Sequence, residues 1–217
     1  MNLKLSIDRA VDEGADRVDV ADPGPKPDDR GGERAARHRA LAGLGSALAV
    51  EADVRAASLA AAARRAEVAV WLGASLADLG GVTGHSRQAA RKRWPDLGAI
   101  HRRRHWLGYH VDDVFWAVRL VLDADLEGID PQARAALADA LAVAERDFAP
   151  DADVDPRDLD AAVARWEAFD ALVDRHLRAV VAAAPAEPVD PGAGFAVHGA
   201  RGVLRYYDHA VGEPVES

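Results

Sequence analysis

Apolar residues in this chain recur mostly three and four positions apart, the spacing of one α-helical face. The run GERAARHRALAGLGSALAVEADVRAASLAAAARRAEVAVWLG, residues 32–73, has strong helix formers and no proline. Leu41, Leu44 and Leu48 hold helical spacing, as do Val54, Leu59, Val68 and Trp71 more loosely. Gly43 and Gly45 predict a break into two helices, the first of them small enough in its side chains to pack closely within a domain or along a dimer seam. Farther on, Val111, Val114, Phe115, Val118, Val121 and Leu122 form one stripe. Asp130-Pro131 pairs an N-cap with a proline at the first helical position, and predicts a helix to about Phe148 with Leu137, Leu141 and Ala144 inward. Asp155-Pro156 repeats that signal. The helix it predicts runs to Val181 and carries Leu159, Val163, Trp166, Phe169, Val173, Leu177 and Val180. Such a stripe is buried in an antiparallel bundle or at a dimer interface.

The two ends break this period. Leu3, Leu5 and Ile7 alternate with polar residues, which suits a short strand, but DPGPKPDDRGG behind them has linker composition and favours a mobile segment. In GFAVHGARGVLRYYDHAV the β-prone runs Phe195–His198 and Val203–Tyr207 flank a glycine-bearing turn. They predict a small hairpin, paired with the Leu3–Ile7 run, or an unstructured tail. The expected fold is mainly α, a helix-turn-helix unit plus a helical bundle with a small C-terminal β-hairpin. Four segments follow: an acidic N-terminal segment and linker (1–32), a helix-turn-helix domain with a basic arm (33–107), an acidic helical region for dimerisation or regulation (108–184), and a tail or hairpin (185–217).

Between the long apolar helix and the bundle lies SLADLGGVTGHSRQAARKRW, residues 75–94. Ser75 is a good N-cap for a short helix through Leu76, Ala77 and Leu79. Gly80 permits a close helix approach, and Gly84 supplies the positive φ of a tight turn. Ser86 caps a second helix, which Pro95 stops. Helix, glycine turn and capped helix make the helix-turn-helix pattern, whose second helix enters the DNA major groove. Arg87, Gln88 and Arg91 share one face, with Lys92 beside it, while Ala90 and Trp94 point into a small core. Arginine pairs with guanine, glutamine with adenine and lysine with phosphate. An αα-hairpin with a solvated basic face is the plainer alternative.

These residues resemble the helix-turn-helix of actinobacterial DNA-binding regulators, in which S-W/L-A-D/E-I/L-G is followed by G-x-S-R-Q-A-A-x-K/R-R-W/F. Ser75 to Gly80 match the first part, and Gly84, Ser86, Arg87, Gln88, Ala89, Ala90, Lys92, Arg93 and Trp94 the second. The resemblance covers about a tenth of the chain and implies DNA binding by Arg87, Gln88 and Arg91. One position departs: the family's turn residue after the glycine is aliphatic and buried, and here it is His85. That implies different packing of the turn, or sensitivity to pH.

Net charge is −9, which argues against nucleic acid until its distribution is read. Ser86 to Trp106 carries seven basic residues against one acid, Asp96, whereas residues 107–217 carry −13. Acidic surroundings would repel DNA everywhere but at the basic block. Arg102, Arg103 and Arg104, with His101, His105 and Trp106, are expected to form a phosphate-contacting arm; an exposed helix face with Trp106 in the core is the weaker alternative. His101 and His105 share a helical face, with His110 beyond, but the arginines between them disfavour a metal cation. No G-x-S-x-G, P-loop, G-x-G-x-x-G or H-E-x-x-H motif is present, so no enzyme activity and no cofactor are expected. There is no cysteine and no apolar run of membrane-spanning length. With no secretory signal at the N-terminus, the expected location is the cytoplasmic nucleoid. The reading is a sequence-specific, double-stranded-DNA-binding transcriptional regulator. It is expected to be a homodimer held by the 156–181 helix, unless that stripe is satisfied within one chain. The alternatives are an architectural nucleoid protein with weak sequence preference, and a protein-interaction module.

Overall fold

The computed structural model describes residues 3–186 and 188–212. They are mainly helical, with no strand among the described residues. The chain divides into two compact units, residues 1–63 and 64–217.

The first unit holds α1 (Leu3–Ala15) and most of α2 (Glu33–Trp71). The strand expected at Leu3–Ile7 is helix instead, supported by i,i+4 pairs Lys4–Asp8 and Arg9–Glu13 at 3.3 and 2.6 Å. The segment after α1 does not run free. His38 Nε2 lies 3.0 Å from the Val20 carbonyl and Arg37 pairs with Asp29 at 2.7 Å, while on α1 itself the Val11 carbonyl accepts from the buried Ser46 hydroxyl at 2.8 Å. Gly43 and Gly45 do not interrupt α2. Gly45 is a contact point, since a Cβ there would stand 2.9 Å from Val18.

The second unit takes the last turns of α2, then α3 (Leu76–Thr83), α4 (Arg87–Arg93), α5 (Leu97–Tyr109), α6 (Val111–Asp123), α7 (Pro131–Asp147) and α8 (Leu159–Ala171). Its chain continues through a π-helical turn (Leu172–Leu177) into α9 (Arg178–Ala183) and then α10 (Pro191–Val211). Two apolar cores form. A small one joins Ala66 and Val70 of α2 to Leu76, Leu79, Ala90 and Leu97. The larger collects the bundle, including Trp106, Leu107, Val118, Leu137, Trp166, Phe169, Leu177 and Tyr207. Each fully buried aliphatic or aromatic side chain there contributes about 1.5–3 kcal/mol relative to exposure.

Asp130 caps α7 as expected, accepting from the Gln132 amide. The next helix starts at Leu159, capped by Asp158, because Asp155 and Pro156 form a turn ahead of it. Its apolar stripe is buried inside the chain: Trp166 packs on Phe148, with centroids 4.6 Å apart, and Phe169, Leu172, Val173 and Leu177 are wholly covered. The stripe is therefore not available to a second copy. The C-terminal hairpin is also corrected. Residues 195–207 lie within α10, where Ala193, Ala196, Val197, Ala200, Leu204 and Tyr207 form one buried face. Asp190 caps it, its carboxylate accepting from the Ala193 amide at 2.6 Å, and Pro191 opens it. This is the start signal seen at Asp130-Pro131, and the three-four stripe behind it outweighs the β-propensity of the two short runs.

Candidate nucleic-acid interface

Residues 75–94 form two short helices around one tight turn. Ser75 and Asp78 make a reciprocal capping box: the Ser75 hydroxyl oxygen accepts from the Asp78 amide at 3.2 Å, and the Asp78 carboxylate accepts from the Ser75 amide at 2.8 Å. Gly84 closes α3 at φ +68°, the left-handed conformation that favours glycine. Gly80 has no room for a side chain, since a Cβ would stand 2.6 Å from the His85 carbonyl oxygen. The His85 amide donates to the Gly80 carbonyl at 2.9 Å, while its ring is exposed. A histidine is tolerated in this turn because nothing buries it. The Ser86 hydroxyl oxygen accepts from the Ala89 amide at 3.2 Å and starts α4.

Only Ala90 of α4 is buried, and half-buried Trp94 packs beside it on the small core. Ser86, Arg87, Gln88, Arg91 and Lys92 are all exposed. Among the described residues, Arg87, Arg91 and Lys92 make no ion pair. Arg93 instead lies over the Trp94 ring, 5.0 Å from its centroid. Arg87, Gln88 and Arg91 line a groove of about 690 Å³ together with Ser75, Ala77, His101 and Arg102. None of its lining residues is acidic. Burial, then the neighbouring His105, Arg87 and Arg102, hold His101 below the ordinary histidine range. Its place in the groove was not legible from its spacing to His105, which points only to a shared helix face.

The three consecutive arginines of α5 do not form an arm. Arg104 sits with its guanidinium carbon 3.4 Å from the Trp166 ring centroid and donates from Nε to the Trp71 carbonyl at 3.0 Å. Burial lowers its pKa to about 10. Arg103 pairs with Asp170 at 3.1 Å, and Asp170 accepts from the Tyr207 hydroxyl at 2.5 Å. Arg102 donates to the Val211 carbonyl at 3.3 Å, and of the three it alone lines the groove. Arg103, still partly exposed, is thus tied to Asp170, and Arg104 to Trp71 and Trp166, so the two do not extend as the expected arm. The physical reason is that α5 is apolar toward both cores, through Leu97 and Ile100 on one and Trp106 and Leu107 on the other. Arginine stems and guanidinium planes fill what remains.

Compared with family models, curated proteins and solved structures, the chain has no significant match.

Proposed function

We propose that the chain is a double-stranded-DNA-binding protein of the regulator class, reading bases with α4. The observation that carries this reading is the exposed row of Arg87, Gln88, Arg91 and Lys92, without an ion pair among the described residues, on a short helix whose only buried residue is Ala90. An α-helix with its side chains is about 10–12 Å across, which fits a major groove about 12 Å wide. Ser86 at the helix start and Arg102 on the groove wall are suited to phosphate. The acidic remainder of the chain favours docking through this face alone.

The regulator reading needs a second copy to read an inverted repeat, with half-sites about 34 Å apart. The 159–181 stripe is occupied, so a dimer has to use another face. Exposed Leu41, Leu44 and Leu48 on α2 offer one. The architectural reading differs by its small specificity ratio, and the interaction-module reading by the absence of any duplex binding.

Selection of binding sites from random duplexes, followed by mobility shifts, tests the proposal. Arg87→Ala and Gln88→Ala each lose roughly 1–3 kcal/mol of discrimination at one base position. Unchanged site selection by both variants, or no shift with any duplex at low salt, overturns it.

A further inference from the structure

A second cleft, of about 430 Å³, lies between α5 and α10. Its α5 wall consists of aromatic rings in helical register. His101 and His105 stack with centroids 6.0 Å apart, and Tyr109 follows at 4.8 Å from His105. In the adjoining row Trp106 stacks on His110, 4.5 Å apart and nearly parallel at 11°. From α10, Tyr206 meets the His110 ring edge-on at 5.4 Å, and His209 and Ala210 complete the lining. Tyr109 and Tyr206 are 75% and 58% exposed, so large aromatic surfaces stand open to solvent here.

Among the described residues the charge of the cleft is one-sided: none of those lining it is acidic, while Arg102 lines it and makes no ion pair. Among the described residues its Nε is buried without an acceptor, and its hydrogen bond to the Val211 carbonyl is long at 3.3 Å. The histidines do not supply an alternative explanation, since no group of three or more His, Asp or Glu suited to a metal ion occurs among the described residues. A flat aromatic body would stack on these rings, and an anionic substituent would meet Arg102 and the imidazoles. The volume lies within the range of small-molecule sites.

We propose that this cleft binds a small planar aromatic carboxylate. His101 and Arg102 line both this cleft and the groove beside α4, so such a ligand would act on the groove through α5. That consequence rests on the DNA-binding reading; binding itself does not, and it is measured without DNA.

Calorimetric titration of the full chain with 2-naphthoate is the test, with 2-naphthalenemethanol as neutral control and cyclohexanecarboxylate as non-planar control. One saturable site is expected for 2-naphthoate, at least about tenfold tighter than for either control. Tyr206→Ala, a half-exposed position, should weaken it by about tenfold, and Ala210→Trp should abolish it by filling the cleft. Circular dichroism of each variant establishes that it is folded, and if Ala210→Trp unfolds, Tyr206→Ala decides alone. No saturation at millimolar 2-naphthoate overturns the proposal, as does equal binding of either control or parental affinity in folded Tyr206→Ala.

Discussion

Two arginine-rich turns follow one another in this chain and reach opposite environments. On α4, Arg87 and Arg91 are exposed and unpaired among the described residues. On α5, Arg103 holds the buried Asp170 and Arg104 lies over the Trp166 ring. In sequence both read as cationic surface. The difference is set by the host helix, not by the arginines: α4 buries Ala90 alone, whereas α5 has a core on each side. Space around the second set is made to measure. Gly108 leaves room where a Cβ would stand 2.6 Å from an Arg104 terminal nitrogen. A basic run is therefore an electrostatic footprint only where its helix is covered on one side.

The comparison breaks most directly on stability. Arg104→Ala removes a desolvated cation–π contact and the donor to the Trp71 carbonyl, and should cost roughly 3 kcal/mol. For a unit of this size that lowers Tm by roughly 6–12 °C. Arg91→Ala, exposed on α4, should stay within about 0.5 kcal/mol of the parent. Thermal melts of the two variants decide. Equal Tm values would mean that the α5 arginines are as free as those of α4.

The signals that were legible in the sequence are local ones. Ser75, Gly84, Ser86 and Pro95 each act on their own backbone neighbourhood, and α3 and α4 lie where those residues place them. Gly80 was readable as a close approach because only glycine fits there. The fate of Arg103 and Arg104 was not readable, since it depends on Trp71, Trp166, Asp170 and Tyr207, distant in sequence. The C-terminal helix was within reach: Asp190-Pro191 carries the same start signal as Asp130-Pro131. Its glycines misled, because Gly199 marks a close contact with Trp116, where a Cβ would stand 3.2 Å away, and not a turn.

A smaller effect sharpens the contrast from the acidic side. Asp170 bridges Arg103 and Tyr207, and Asp170→Ala should cost roughly 2 kcal/mol by leaving both without their acceptor. Burial raises the Asp170 pKa, and the Tyr207 hydrogen bond and Arg103 only partly oppose it. The folded chain therefore holds that proton more tightly than the unfolded chain does. The resulting stability is complete below the ordinary carboxylate pKa of about 3.9 and is lost as pH rises through the raised value. Asp170→Asn has no such loss. Its Tm relative to the parent should accordingly climb from pH 4 to pH 7, and a flat difference would show that Arg103 fully offsets the burial.

The smallest expected effect belongs to His101, on the wall between the two arginine sets. Burial is the main cause of its depressed pKa, followed by His105, Arg87 and Arg102, with Asp78 opposing. An unfolded chain returns this imidazole to about 6.5. As pH falls below that value the unfolded state takes up the proton first, so stability declines, and the decline ends once pH has passed the lower folded value. His101→Gln removes a group that titrates and should flatten this part of the stability–pH curve, while leaving stability at pH 8 nearly unchanged. The contributions from Arg87 and Arg102 can be separated because Arg87 is exposed and Arg102 partly buried. Arg102→Gln loosens the bundle side, Arg87→Gln only the solvent side, and each should move the His101 midpoint upward in an NMR titration of its ring protons. A parental midpoint at or above 6.5 would mean that the ring is solvated and that the wall shared by groove and cleft is open.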